Sequence, residues 1–203
     1  MSVLTSSREL WLCLQEEAGA LSQQEPVLSS FYHTSILNHN GLASALSFHI
    51  ASKLASDALP AISLRALFEQ LLVEEPSIVE AAFYDILAYR ERDPACDQYI
   101  MPFLYFKGFH ALQAYRLAHA LWRQQRQSLA LFLQNRISTV FDVDIHPAAK
   151  IGQGIMIDHA TGVVIGETSV IGNNVSLLHS VTLGGCGSAT GDRHPKVADG
   201  VMI

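Results

Sequence analysis

The chain has 203 residues, of which 49% are hydrophobic, and its formal net charge is -6 at pH 7. This length holds one large domain or two small ones. The acidic balance argues against a nucleic-acid partner, which needs a clustered basic face. We also expect no membrane span, because no apolar run reaches the roughly 18 residues required, and the N-terminus lacks a signal-peptide pattern. Three scattered cysteines indicate a reducing, cytoplasmic location rather than a disulfide framework.

Residues 1–142 are predicted to form an all-α helical domain. Apolar residues recur there at helical spacing, in segments rich in Leu, Ala, Glu and Gln. We predict six to eight helices, the longest over 107–125 and the next over 128–141. No chemical motif is visible on their faces. The breaks between them are expected at 25–26, 39–41, 59–60, 75–76 and 93–94, four of which contain a proline.

After Phe141 the period changes to six residues. The fixed period is typical of a left-handed parallel β-helix, in which three hexads make one triangular coil of about 18 residues. The fold class is therefore predicted as α+β, with the β-helix over 143–203 and a two-residue slip at Val163-Val164. An ordinary strand-rich domain is the alternative. The hexads begin at Ile145, Ile151, Ile157, Ile165, Ile171 and Leu177.

The stretch 184–200 has no hexad pattern and is rich in glycine and polar residues. We predict a long loop protruding from the coil, the kind of segment that often carries function. Residues 201–203 resemble a return to the coil, and the chain stops there. A coil ending at this point leaves an open edge. We therefore expect either a shortened chain or an edge that another element caps.

The segment around His159 is the richest in chemical groups. A histidine on the β-helix wall can act as a general base near neutral pH if a carboxylate orients it. Asp158 is its neighbour, and Asp144 lies fifteen residues back, almost one coil away. The alternative for a lone histidine is a solvated side chain, although these two carboxylates and the later pair Arg193-His194 make it weaker.

His179 holds the same hexad position as His159, twenty residues later. We expect the two rings to stack on one face, about 4.8 Å apart, the spacing between strands. Two stacked histidines suggest zinc, which needs a third protein ligand. His146 sits at a different hexad position, so the set does not close and no metal site is predicted.

Six stretches stand out together, 92–95, 107–116, 143–152, 158–168, 180–185 and 191–196. They resemble the serine O-acetyltransferase family of bacterial and plant cysteine synthesis. The likeness covers almost the whole chain, and the helical half makes it more specific than hexads alone. What differs is the end of the chain, since family members usually continue for several more coils and a C-terminal tail.

The resemblance implies transfer of acetyl from acetyl-CoA to the hydroxyl of L-serine, with acetyl-CoA as co-substrate and no resident cofactor. It implies His159 as the general base and Asp144 as the residue that holds its tautomer. Backbone N–H groups near the loop would stabilise the oxyanion. The substrate ammonium would face Asp93 and Asp158, and its carboxylate would face Arg193 and His194. From the residues alone, Asp93 is better explained as a helix terminus before Pro94, and Arg193-His194 as a solvated loop.

The resemblance further implies partners. Gly184 and Gly185 would contribute to CoA binding, and L-cysteine would compete for the serine pocket. The family forms homotrimers with sites between subunits, and pairs of trimers form hexamers. Its C-terminal tail binds O-acetylserine sulfhydrylase, so this partner is expected only where that tail is present.

Three other functions are alternatives. The first is a hexapeptide acyltransferase for a sugar or an amine, against which a serine-sized pocket bounded by Asp93, Asp158 and Arg193 argues. The second is a non-catalytic or truncated assembly or regulatory form. The third is a γ-type carbonic anhydrase, which requires zinc.

Overall fold

A computed structural model describes residues 4–185 and 190–203. The chain divides into two compact units, Met1–Tyr105 and Phe106–Ile203. The first unit is helical, and the second contains two helices and the strands of the β-helix. The change from helix to strand falls at Asp142, where it is predicted, whereas the compact units divide at residue 105. No helix in the described ranges is long and apolar enough to cross a membrane.

Within its described residues, the first unit contains six α-helices. Its first helix begins with a side-chain cap, because Ser6 Oγ accepts a hydrogen bond from the backbone N–H of Glu9 (3.3 Å). Its core is apolar and includes the fully buried Leu10, Ile50 and Phe68. The helices are α1 Ser7–Gln24, α2 Ser29–Tyr32, α3 Leu42–Leu54, α4 Ala61–Glu74, α5 Ser77–Arg92 and α6 Ile100–Tyr105.

All five predicted breaks are found between these helices. Prolines precede or begin three of the segments, where the missing N–H costs no helical hydrogen bond. A 3₁₀ turn at Pro26–Leu28 and a π-helical turn at His33–Leu37 flank α2. The expectation for the longest helix is wrong by a small margin, since α1 has 18 residues and the helix beginning at Lys107 has 17.

The second unit begins with α7 Lys107–Arg123 and α8 Gln127–Phe141. Helix α7 packs on the first coil of the β-helix, and its polar side chains satisfy backbone carbonyls at the coil's turns. The Tyr115 hydroxyl donates to the Ala149 carbonyl, and Arg116 Nη2 donates to the Gly152 carbonyl (2.8 Å). Burial raises the pKa of Tyr115, which keeps it a donor. The helix therefore covers the start of the β-helix.

The eight strands of the described ranges form three parallel sheets, ordered β1-β4-β7, β2-β5-β8 and β3-β6. Each sheet is one wall of a left-handed parallel β-helix, and the aliphatic hexad positions point into its core. The predicted α+β fold is confirmed. The strands are β1 Val143–Ile145, β2 Lys150–Ile151, β3 Met156–Ile157, β4 Val163–Ile165, β5 Val170–Ile171, β6 Ser176–Leu177, β7 Thr182–Leu183 and β8 Lys196–Val197.

The two-residue slip lies elsewhere than predicted. Val163 and Val164 are in register within β4, paired with Val143 and Asp144. Partners are twenty residues apart along the first coil and eighteen apart between β4 and β7. The two extra residues are therefore in the turn 158–162, where a corner can lengthen without disturbing the hydrogen bonds of the walls.

The loop is also shorter than the predicted 184–200. Strand β8 lies inside that stretch and pairs with β5, so the excursion ends by Pro195. Its partners are twenty-six residues apart, eight more than in an eighteen-residue coil. Only Val197 holds an aliphatic hexad position there, and glycine and proline around it hide the pattern. Residues 186–189 of the loop lie outside the described residues. Ile203 pairs with the coil below through its N–H and the Ser176 carbonyl (3.0 Å).

Candidate active site

His159 lies at a corner of the β-helix, in the turn between β3 and β4. Both His159 and Ala160 adopt left-handed backbone conformations, with φ of 57° and 62°. Ala160 is fully buried beneath the turn, whereas the His159 side chain is 74% exposed. Its Nε2 lies 3.7 Å from Asp158 Oδ2. This corner therefore presents an accessible imidazole beside a carboxylate.

Lys107, the first residue of α7, anchors the same turn. Its Nζ donates a hydrogen bond to Thr161 Oγ1 (2.6 Å). The backbone closes the turn on both sides, since Gly162 N–H donates to the Asp142 carbonyl (2.9 Å) and Ser180 N–H to the Thr161 carbonyl (2.7 Å). The turn is thus held from the helix, from the coil below and from the coil above.

His179 lies one coil beyond His159, at the matching position, as the pattern predicts. The ring centroids are 6.3 Å apart and the planes are tilted by 56°, so the rings are neighbours rather than the closely stacked pair expected. The two turns differ in length, which offsets the rings. Within residues 4–185 and 190–203, no group of three His, Cys, Asp or Glu side chains could hold a metal ion.

Asp144 lies on β1, adjacent in the sheet to β4, which begins directly after the His159 turn. Its Oδ1 accepts a hydrogen bond from Gln134 Nε2 of α8 (2.7 Å). In the described part of the chain, no hydrogen bond or ion pair joins Asp144 to His159. Within one chain, the Asp144 carboxylate therefore lies on the wall next to the His159 turn and is held by the side-chain amide of Gln134.

Arg193 and His194 are held against the turn that joins β4 to β5. Arg193 Nη2 donates to Glu167 Oε2 (2.7 Å), and this hydrogen bond lowers the pKa of Glu167. Both backbone N–H groups of the pair donate to Thr168 Oγ1, at 3.0 and 3.1 Å. Glu167 therefore holds the Arg193 side chain, and Thr168 holds the backbone of the pair predicted to bind a substrate carboxylate.

The two predicted CoA-binding glycines are exposed at the start of the loop. A Cβ on Gly185 would lie 3.1 Å from Arg193 Cγ and 3.2 Å from His194 Nε2. Contacts this tight show that the backbone of Gly185 packs directly on the Arg193-His194 pair. Gly184 is less confined, because a Cβ there would meet a single close atom, Thr182 Cγ2 at 3.2 Å.

Asp93 belongs to the first compact unit, where it caps the C-terminus of α5. Its Oδ1 accepts a hydrogen bond from the N–H of Ala95 (2.8 Å). The helix-terminus interpretation of this residue is therefore present in the structure. Its predicted role toward a substrate ammonium stays a prediction.

Four residues at these two corners carry no role in the sequence-based assignment: Lys107, Gln134, Glu167 and Thr168. Three of them lie in stretches that match the family, but their residue types alone suggest only solvated side chains. Their contacts join residues 10 to 54 positions apart in the chain. The packing of α7 and α8 on the β-helix brings Lys107 and Gln134 to their partners, and the return of the loop brings Arg193 to Glu167 and Thr168.

The His159 turn and the Arg193-His194 loop occupy different corners of the triangular coil. His159 lies between the walls of β3 and β4, whereas the loop lies between the walls of β7 and β8. One chain therefore places the predicted general base at one corner and the residues predicted to bind the substrate carboxylate at another.

Comparison with known proteins gives consistent matches. The family model described as "Serine acetyltransferase, N-terminal" matches residues 10–114. The serine acetyltransferase of Haemophilus influenzae is 58% identical over 195 residues, which cover 96% of this chain and 73% of that protein.

Solved structures of serine acetyltransferases are similar to this chain over nearly its whole length. A serine acetyltransferase in complex with cysteine has a TM-score of 0.96 and 57% identity, covering 97% of this chain and 82% of that one. A serine acetyltransferase in complex with CoA has a TM-score of 0.93, with the same identity and coverage. The soybean enzyme complexed with serine has a TM-score of 0.95 and 52% identity, covering 98% and 82%. With these matches in the helices and the β-helix alike, the chain belongs to the serine acetyltransferase family.

Proposed function

We propose that this protein transfers the acetyl group of acetyl-CoA to the hydroxyl of L-serine, forming O-acetyl-L-serine and CoA. The observation that carries the proposal is the exposed His159 on its anchored corner, in a chain of the serine acetyltransferase family. Relatives in complex with CoA and with serine support both substrates.

His159 acts as the general base. Its imidazole takes the proton of the serine hydroxyl as the oxygen attacks the thioester carbonyl carbon, and the imidazolium then protonates the departing CoA sulfur as the C–S bond breaks. General-base catalysis of this kind contributes typically about 10²–10⁴-fold. The Asp158 carboxylate at 3.7 Å stabilises the transient positive charge on the ring.

Asp144 orients the imidazole in this proposal. Support comes from the sheet register, because β1, which carries Asp144, pairs with the strand that follows the His159 turn. The hydrogen bond from Gln134 leaves the second carboxylate oxygen available to the ring.

The substrate is held by charge complementarity. Asp93 and Asp158 receive the ammonium group, and Arg193 and His194 receive the carboxylate, where the guanidinium offers paired donors. Gly184 and Gly185 receive acetyl-CoA, which binds as a co-substrate. L-Cysteine resembles serine and competes for the same pocket, in line with the relative solved with cysteine.

The active assembly is a homotrimer, in which His159 of one subunit meets Arg193 and His194 of its neighbour. The support is the position of these residues at different corners of one coil. Pairing of trimers into a hexamer, binding of O-acetylserine sulfhydrylase where a C-terminal tail is present, and a cytoplasmic location complete the proposal.

The test is acetyl transfer by His159→Ala, measured as thiol release from acetyl-CoA with L-serine. We expect a loss of at least about a hundredfold in kcat with unchanged assembly, because no other base replaces the imidazole. His33→Ala is the matched control, since His33 is exposed on the helical unit. Normal turnover in His159→Ala would refute the proposal, and a panel of sugars and amines tests whether serine is the preferred acceptor.

A further inference from the structure

Gly166, Glu167 and Thr168 form a turn, the 166–168 turn, that contacts the loop pair Arg193-His194 closely. None of its three residues has a role in the proposed reaction. Thr168 is at the centre of this contact. Its Oγ1 accepts the backbone N–H of Arg193 at 3.0 Å and that of His194 at 3.1 Å. A hydroxyl has two lone pairs and one hydrogen. With both lone pairs engaged, its hydrogen remains to be donated.

Two acceptors face that hydrogen, the imidazole of His194 and the carboxylate of Asp192, which also hydrogen-bonds the Thr168 side chain. Thr168 Oγ1 lies 2.8 Å from His194 Nδ1, and the backbone N–H of Thr168 donates to the same nitrogen (3.1 Å). A backbone N–H is always a donor, so Nδ1 has to be an acceptor. The neutral ring then carries its proton on Nε2. Thr168 thus selects one of the two tautomers of His194.

The far side of the ring is confined as well. An ideal Cβ on Gly166 would lie 2.0 Å from His194 Cδ2 and 2.1 Å from its Nε2. A real Cβ essentially never approaches so closely, so only glycine allows the ring to lie where it does. Gly185 bounds Nε2 from another side, with its ideal Cβ position at 3.2 Å. The ring can therefore not rotate freely away from Thr168.

From these contacts we propose that Thr168 is a positioning residue that fixes His194 as an Nε2–H donor toward the carboxylate of the substrate. Glu167 serves the same end for Arg193 by holding its guanidinium at 2.7 Å. The identity of the carboxylate ligand as serine rests on the proposed function, whereas the tautomer does not. A donor set before binding avoids the cost of reorganising the ring when the anion arrives.

The first experiment compares Thr168→Val with Thr168→Ser in the full chain. Valine keeps the shape and removes the hydroxyl, whereas serine keeps the hydroxyl. For Thr168→Val we expect the KM for serine to rise about tenfold, because one to two hydrogen bonds at the subsite are lost. The KM for acetyl-CoA should change less than about twofold. Thr168→Ser should restore the KM for serine to within about twofold of the wild-type value.

The matched control is Thr139→Val, which removes an exposed hydroxyl that donates to the Asn135 carbonyl within α8. It should leave both KM values unchanged. Equal losses in Thr168→Val and Thr168→Ser, or an unchanged KM for serine in Thr168→Val, would overturn the positioning role.

The second experiment reads the tautomer directly in the protein without substrate. ¹⁵N NMR of the imidazoles at alkaline pH, with His194→Gln for assignment, should show Nε2–H as the single tautomer of His194. Thr168→Val keeps the backbone N–H that donates to Nδ1, so Nε2–H should remain the main tautomer, and the lost hydroxyl should appear as a shift of the Nδ1 resonance that Thr168→Ser does not show. A dominant Nδ1–H form in the wild-type protein would overturn the inference. If the tautomer is as expected but serine is not acetylated, the proposed function fails and the positioning of His194 stands.

Discussion

His159 is the base in the proposed reaction, and its backbone is unusual for a residue with a side chain. A left-handed conformation costs roughly 1–2 kcal/mol for a residue other than glycine, and here two adjacent residues adopt it, at φ of 57° and 62°. Such a conformation persists only where its surroundings determine it. The hydrogen bonds to Thr161, Gly162 and Ser180 provide that constraint.

Lys107→Met tests whether the anchor from α7 sets the orientation of His159. Without the 2.6 Å hydrogen bond to Thr161, the turn relaxes and the imidazole loses its fixed direction. We expect kcat to fall about three- to tenfold, the equivalent of one hydrogen bond, with the KM for serine nearly unchanged. Steady-state kinetics with both substrates measure this.

Thr161→Val removes the other partner and should give the same fall in kcat. Since both changes break a single interaction, the double variant should be no worse than either one. Lys150→Met is the control, because Lys150 is exposed on β2. Additive losses in the double variant would mean that the two side chains act separately.

The corners of the β-helix depend on glycines that stack between coils. Gly152 lies beneath Gly172, and Gly172 lies beneath Ala198 of the next coil. A Cβ on Gly172 would lie 2.8 Å from the backbone nitrogen of Asp199 and 3.0 Å from the Ala198 carbonyl carbon. Backbone atoms cannot move aside as a flexible side chain can, so the spacing of the coils depends on this glycine.

Gly172→Ala should therefore lower the free energy of unfolding by about 1–3 kcal/mol, the range for an overpacked site. Chemical denaturation followed by circular dichroism measures it. Gly19→Ala makes the same chemical change in the middle of α1, where the new Cβ meets open space, and should stabilise by about 0.5–1 kcal/mol. Equal stability of the Gly172→Ala variant and the wild-type protein would contradict the stacking argument.

The hexads are predictable because each repeats the same requirement, an aliphatic side chain inside and a small residue near a corner. The slip is harder to locate. Val163-Val164 breaks the pattern visibly, but a strand tolerates both valines, and the extra length is absorbed where His159 and Ala160 turn left-handed. Histidine is enriched among the side-chain-bearing residues that adopt that conformation, but alanine is not, and the pair as a whole does not signal it. The hydrogen bonds from α7 and from the neighbouring coils impose it, and a sequence pattern does not contain them.

The site divides in the same way. The residues that meet the substrate in the proposal belong to motifs that a family resemblance finds. Thr168 and Glu167 lie in a matching stretch too, but the resemblance assigns them no role, because their importance comes from a loop that returns to them 25 and 26 residues later. The helix breaks are the opposite case, since proline acts locally and marks them directly.

The separation of the two corners leads to a prediction about the assembly of subunits. In the proposed homotrimer, the His159 corner of one subunit faces a different corner of the next subunit around the threefold axis. Two defective chains can then complement each other, provided that each contributes its intact corner to a shared site.

His159→Ala and Arg193→Ala should each be severely impaired alone. When the two chains are refolded together, about a quarter of the wild-type activity should return. In a randomly mixed trimer, this is the fraction of sites between subunits in which both His159 and Arg193 are intact. Mixing His159→Ala with Asp158→Asn should restore none, because both changes lie on one corner. No recovery in the first mixture would show that one chain supplies the whole site.

The register of the β-helix also bears on how the chain acquires its structure. Each strand from β4 onward pairs with an earlier strand, which precedes it by 18, 20 or 26 residues. Each later coil therefore pairs with a coil that precedes it in the chain, and the first coil packs against α7 and α8. Such a molecule can form in the order of its synthesis on the ribosome, one layer at a time. The turn that carries His159 is complete only when the N–H of Ser180, in the following coil, donates to the Thr161 carbonyl. His159 therefore reaches its final conformation one coil later than its own synthesis.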